Sequence, residues 1–344
     1  MPARVLLAAL ACLCIACVAP QEPGDDALSA SATAASSRGP LPFAIAAALA
    51  LPTRSPDDCW LPRPGETPPV NVTPGADVRI VSPSQVVPPP EYEPLSLVED
   101  EDLAERLREM LGDAADTYAV VVKDLRTGRG VAINADRVFY AASVFKLFVM
   151  YEAFRQESLG LLQWTDQLVM TPYYDSFGFN VRGTALCDTL TVGRAARAMM
   201  TVSDNAAAVL LQDLVGSRNV NRSMEALGLV ASEISEELPI TAADVALLLE
   251  AIGRGRAVSM EASEEMIALM KGEALDNGLA KDLPDGVELA HKTGNWSNAT
   301  HDAGIVFAPR GAYVIVVLSD TDHETALIRE IARAVYERHE GSGR

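Results

Sequence analysis

The sequence predicts an α+β fold: an antiparallel sheet built from both ends of a domain over 95–344, with an all-helical lobe inserted between them. Two observations carry this. Strand-like apolar runs stand early, at 118–125 and 129–133, and return only late, at 287–292, 303–307 and 311–318. Between them apolar residues recur at helical spacing over 192–200, 206–214, 222–227, 242–252 and 263–270.

Taken in order, Leu97, Val98, Leu103, Leu107, Met110 and Leu111 mark an amphipathic helix that Gly112 ends. Arg126-Thr127-Gly128 supplies the turn of a hairpin. A helix then carries Phe145, Phe148, Val149 and Ala153. The chain closes on an amphipathic helix over 324–338 that buries Leu327, Ile328, Ile331, Ala332 and Val335.

The 49% hydrophobic and 22% charged residues suffice for a sizeable core. A formal net charge of −19 excludes a nucleic-acid partner, because phosphate binding needs concentrated Lys and Arg. Residues 1–17 read as a signal peptide: Arg4 gives a basic start, and the apolar run over 5–18 is too short to span a membrane. Leu13-Cys14-Ile15-Ala16-Cys17 is similar to a bacterial lipobox, which makes Cys17 the lipidated residue, with Cys12 a competing cleavage point. The expected location is therefore the bacterial cell envelope, with membrane contact only through that anchor, or, where the signal is a plain one without lipid, a secreted or periplasmic protein. Residues 18–94, rich in Pro, Ala and Ser, read as a disordered tether. Only Cys59 and Cys187 remain beyond the signal segment, and the sequence leaves their pairing open.

Three short elements carry chemistry. Ser143 and Lys146 are three residues apart at a helix start, so their side chains share a face. A serine becomes a nucleophile when a base takes its proton, and a desolvated lysine can be that base. Ser203-Asp204-Asn205 precedes a helix, and Lys292-Thr293-Gly294 ends a strand, offering a cation and a hydroxyl to a carboxylate. Each has an ordinary alternative: an N-cap with a snorkelling lysine, a second N-cap, a strand exit.

The three in this order are another matter. Together they resemble the class A β-lactamases and penicillin-binding proteins, a superfamily of penicillin-recognising serine acyl-transfer enzymes, over about residues 97–340. The resemblance implies a β-lactamase/transpeptidase-like fold and a serine hydrolase acting on a small molecule, a β-lactam or a D-alanyl peptide. By that resemblance Ser143 is acylated, Lys146 is base or relay, and Ser203 passes a proton to the leaving nitrogen. Asn205 would bind the substrate's side-chain amide, and Lys292, Thr293 and Gly294 would form the carboxylate site. The backbone N–H groups of Ser143 and Asn295 would hold the oxyanion. Tyr173 or Tyr174 would wall the cleft, unless both are core.

Two departures stand out. The segment from 227 to 241 is much shorter than the family's loop and lacks its Glu-x-x-Leu-Asn pattern, so Glu233 and Glu236 are the candidate deacylation bases, against a plain acidic surface that also includes Glu237. Ala303 or Asp302 stands where an arginine is often found. A chain without the deacylating glutamate favours the alternative of a D,D-peptidase or penicillin-binding type of enzyme, or a muropeptide-binding sensor. His291, His301, His323 and His339 show no ligand spacing, so no metal and no cofactor is expected. A monomer is expected.

Overall fold

The computed structural model describes residues 59, 70, 72, 95–178 and 184–341. The signal segment with Cys12 and Cys17, and most of the 18–94 tether, lie outside them.

A six-stranded sheet runs in the order β1 (Val98–Glu99), β3 (Arg129–Ile133), β2 (Tyr118–Asp124), β10 (Gly311–Ser319), β9 (Ala299–Ala308), β8 (Glu288–Trp296). The two chain ends thus meet at the β2–β10 pair, with Val121 opposite Val316. The sheet is antiparallel except at its margin, where β1 runs parallel to β3. A two-residue strand gives too little periodicity to be read from sequence, where Val98 fits the pattern of the following helix.

Both faces of the sheet are covered, which is why its central strands are apolar at nearly every position. Val120, Val122, Ile315 and Val317 face α1 (Glu101–Leu111) and α9 (Ala326–Gly341), where they meet Leu103, Leu107, Ile331 and Val335. Ala119, Val121, Val314 and Val316 face the helical lobe. Helix α1 begins where Asp100 accepts a hydrogen bond from Leu103 N at 3.2 Å, and Arg338 of α9 reaches the same carboxylate at 2.8 Å. One aspartate caps one terminal helix and clamps the other.

The helical lobe contains α2 (Lys146–Ser158), the single turn α3 (Pro172–Asp175), α4 (Val192–Thr201), α5 (Asn205–Val215), α6 (Ser217–Ala226), α7 (Ala242–Gly253) and α8 (Met260–Met270). Thr191, Asp204, Thr241 and Ser259 accept from the first-turn amides of α4, α5, α7 and α8. Helix α5 is buried along its whole length, consistent with its Ala206–Leu211 run. Its last carbonyls need partners, and Gln156 Nε2 donates to Val215 O at 2.7 Å while also donating to buried Glu152.

The lobe is not wholly helical. Two three-residue ladders, β4 (Val138–Tyr140) with β7 (Pro239–Thr241) and β5 (Gln167–Val169) with β6 (Thr189–Thr191), stitch its loops together. Among the described residues no helix is long and apolar enough to cross a membrane.

The described residues of the expected tether lie against this lobe. Val70 N donates to Gln167 O at 2.8 Å, Val72 is buried among core side chains, and Cys59 is disulfide-bonded to Cys187 with Cα atoms 4.7 Å apart. The bond closes a separation of 128 residues, so its loss should release much chain entropy to the unfolded state. Cys187→Ser is expected to cost about 2–4 kcal/mol in urea unfolding. Reductant should bring the wild-type midpoint to that of the variant and leave the variant unmoved.

Candidate active site

The site lies where the start of α2, the turn before α5 and strand β8 converge. Ser143 lies in a 3₁₀ turn, Ala142–Phe145, and α2 begins at Lys146. The sequence spacing predicts an α-helical start at Ser143; the tighter turn observed follows Ala142, whose backbone is left-handed at φ 43°. Ser203 is left-handed as well, at φ 54°. Such conformations cost a non-glycine residue on the order of 1 kcal/mol or more and tend to persist where surrounding contacts fix them.

Those contacts centre on Lys146, which is fully buried. Its Nζ donates to Ser203 O at 2.6 Å, to Ser203 Oγ at 3.1 Å and to Asn205 Oδ1 at 2.8 Å. The amine thereby joins the first two predicted motifs. Asp204, between them, turns the other way and caps α5 through Ala207 N at 2.8 Å. Ser143 is 7% exposed and Asn205 9%, so the group is largely shielded from solvent.

Strand β8 supplies the third motif. It runs through Lys292-Thr293-Gly294 to Trp296, so the motif sits within the strand and not at its end. β8 ends the sheet, with no strand among the described residues on its outer edge. Gly294 allows the close approach: a Cβ there would lie 3.0 Å from Val144 Cγ2 and 3.2 Å from Ala141 O. Glycine brings Asn295 beside the Ser143 turn.

Lys292 and Thr293 differ in their partners. Lys292 Nζ is ion-paired with Glu273, and both side chains are wholly buried. Thr293 Oγ1 is buried without a hydrogen-bond partner among the described residues. Glu273 was missed in the sequence. The available signal was indirect: a lysine in a buried strand requires a counter-charge, and Glu273 lies 19 residues upstream in a short loop after α8.

Across the ladder Lys292 faces Ala303 and Thr293 faces Asp302, the two residues expected where an arginine is often found. Asp302 Oδ1 pairs with His291 Nδ1 at 2.8 Å, and its Oδ2 accepts from Leu279 N at 2.8 Å. Burial alone would lower the His291 pKa. Asp302 and the nearby Glu273 carboxylate outweigh it and raise the value above 6.5, against the opposing charge of Lys292.

His301 does a different job. Its Nδ1 accepts from Ser319 N at 3.1 Å, which leaves Nε2 as the protonated nitrogen, donating to Tyr140 O at 2.8 Å. A neutral imidazole thus ties the strand leading into Ser143 to the sheet. Burial lowers its pKa from 6.5 to about 4.

The short loop from 227 to 238 is pinned by Asn221, which accepts from Ile234 N at 2.7 Å and donates to Ile234 O at 3.1 Å, and by Asp244, which accepts from Ala231 N at 2.9 Å. Glu233 and Glu236 are exposed, as is Glu237, and neither candidate base joins the group around Lys146. Ala141 N donates to Leu238 O at 2.8 Å, and the side chain buried at that point is an apolar leucine. Tyr174 is buried and donates to Asp213 Oδ2 at 3.1 Å, while Tyr173 packs edge-on against Tyr174 and Phe177. Tyr174 belongs to the lobe's core, and Tyr173, half-buried, packs against it. Among the described residues no three His, Cys, Asp or Glu side chains converge as a metal site.

A serine turn, a buried lysine bridging Ser203 and Asn205, and a Lys-Thr-Gly edge strand are now in place. The profile of the Beta-lactamase enzyme family matches residues 102–339. The chain belongs to that family. A β-lactamase of Streptomyces fradiae is 27% identical over 240 residues, covering 62% of this chain and 78% of the relative. The solved structure of PBP-A superposes with a TM-score of 0.68 at 22% identity, covering 73% of this chain and 99% of that one. A PBP-A variant captured as an acyl-enzyme with penicillin G gives 0.67 at 23% identity, over 71% of this chain and 98% of that one. At such identities these two likenesses establish the shared β-lactamase-like fold alone.

Two outcomes follow. Glu273→Gln would leave the Lys292 ammonium buried without a counter-charge and should cost about 3–5 kcal/mol in urea unfolding. Adding Lys292→Met to that variant should recover most of the loss. His301 gives a pH dependence: below 6.5 the unfolded chain takes up a proton that the folded imidazole refuses until about 4. Its contribution is therefore complete above 6.5 and declines as the pH falls towards 4, by on the order of 3 kcal/mol in all. Urea midpoints measured between pH 7.5 and pH 4.5 should drop in the wild type, and His301→Gln should flatten that slope.

Proposed function

We propose that the protein is a serine hydrolase of the β-lactamase type whose Ser143 forms an acyl-enzyme with β-lactams. The observation that carries this is the position of Lys146 Nζ, 3.1 Å from Ser203 Oγ and 2.8 Å from Asn205 Oδ1, at the start of the helix that Ser143 precedes. In the neutral form Lys146 accepts the Ser143 proton as Oγ attacks the lactam carbonyl carbon. Charge then develops on the carbonyl oxygen between the N–H groups of Ser143 and Asn295, worth a few kcal/mol to the transition state. As the C–N bond breaks, the proton passes from Lys146 through Ser203 Oγ to the departing nitrogen. Lys292 and the unpartnered Thr293 hydroxyl receive the ligand carboxylate.

Hydrolysis of the ester then needs a base for water. The loop buries Leu238 beside the Ser143 turn and exposes Glu233 and Glu236, which favours a slow second step. That observation supports a second reading, a D,D-peptidase or penicillin-binding type of enzyme acting on cell-wall peptides. The Cys59–Cys187 bond supports an exported location, since disulfides persist in oxidising compartments.

Incubation with benzylpenicillin, followed by intact-mass spectrometry, tests the reading. One adduct per chain is expected, absent in Ser143→Ala and formed about 10²–10⁴-fold more slowly in Lys146→Met. An adduct lasting hours identifies the slow second step, whereas fast hydrolysis of a chromogenic cephalosporin identifies a full β-lactamase. Neither adduct nor hydrolysis would overturn the proposal.

A further inference from the structure

Beyond the three motifs, the site has an aromatic pair with no role in the acylation chemistry. Lys292, Gly294 and Trp296 share one face of β8, since alternate strand residues do. That face is turned towards the Ser143 turn, because Gly294 lies against Ala141 and Val144. One step further along, Trp296 meets Tyr140, their ring centroids 6.3 Å apart and tilted by 46°. Both rings are half-buried and pack against the core, so each keeps some exposed surface. Tyr140 immediately precedes the Ala141–Ser143 segment, and its carbonyl is held by His301. The pair is therefore fixed relative to the nucleophile.

The order of groups along β8 orients any β-lactam that binds as proposed above. Its carboxylate is carried on the atom attached to the ring nitrogen, and its acyl side chain on the carbon next to the ring carbonyl. With the carboxylate at Lys292 and Thr293 and the carbonyl oxygen at Asn295 N–H, the acyl side chain must continue towards Trp296. Four residues of strand, about 13 Å, separate the two ends. A charged group is received at one end and an aromatic surface waits at the other.

We propose that Tyr140 and Trp296 form a shelf that selects acyl donors carrying a flat aromatic ring in the acyl side chain. This rests on the acyl-enzyme reading and deepens it from a reaction to a substrate preference. Offset or edge-on contact with two held rings adds favourable energy beyond the area buried. An acetyl or other small aliphatic group reaches neither ring and gains nothing from them.

The experiment compares two penicillins with the same nucleus, one phenylacetyl and one acetyl, on the full chain. The readout is the second-order rate of Ser143 labelling by intact mass. The wild type should label about tenfold faster with the phenylacetyl compound, the ratio expected from one good aromatic contact. Trp296→Ala should bring the two rates within about twofold by slowing the phenylacetyl compound alone, and Trp296→Phe should keep most of the preference. Tyr140→Leu provides an independent test from the other ring and should reduce the same ratio. An unchanged ratio in Trp296→Ala and Tyr140→Leu, or an equal fall in both rates, overturns the shelf. Failure of both penicillins to label the wild type overturns the acyl-enzyme reading itself, and the shelf with it.

Discussion

Everything about the site depends on one dry amine. Lys146 is fully buried, and its Nζ holds the Ser203 carbonyl, the Ser203 hydroxyl and the Asn205 side chain at once. A buried amine without such oxygens would be costly, so the turn before α5 has to bend back towards α2. The left-handed backbone at Ser203 is the local consequence. The tight turn at Ala142–Phe145 meets the same centre from the other side, fastened through Ala141 N to Leu238 O and through Tyr140 O to His301. The geometry of the candidate site and the packing of the lobe are thus one set of contacts, and neither can relax alone.

The sheet serves that centre by offering an edge. Its middle strands are buried on both faces, while β8 at the margin presents backbone and side chains to the Ser143 turn. Lys292 lies on this strand as a buried cation, and Glu273 compensates it from a loop that follows α8. The pair keeps the strand's charge in place before any ligand arrives. His291 and Asp302 repeat the device on the opposite face, so the motif strand is gripped from both sides.

What the sequence made legible was local. The three motifs and each of the late strands show in fewer than a dozen consecutive residues, and the structure has early strands, helices and late strands in the predicted order. What it hid depends on distant pairing. Glu273 is one acidic residue among many until the fold sets it on Lys292, and Cys59 sits in a Pro-rich stretch whose composition says nothing of Cys187. The ladders β4–β7 and β5–β6 are too short for a period to register. Glu233 and Glu236 illustrate the converse: residue type suggested a base, but their loop turns Ile234 and Leu238 inwards and leaves the carboxylates in solvent.

The disulfide gives the molecule a topology that a linear reading does not convey. Because Cys59 is joined to Cys187, the polypeptide between them forms a covalent ring, and Ser143 and Lys146 are members of it. A single proteolytic nick anywhere in that ring opens the circle but separates nothing. The piece bearing Ser143 stays bonded to the remainder of the lobe. A chain clipped in this way keeps the Ser143 turn covalently joined to the rest of the fold, where an unbridged chain would have only its non-covalent packing to hold the fragments together.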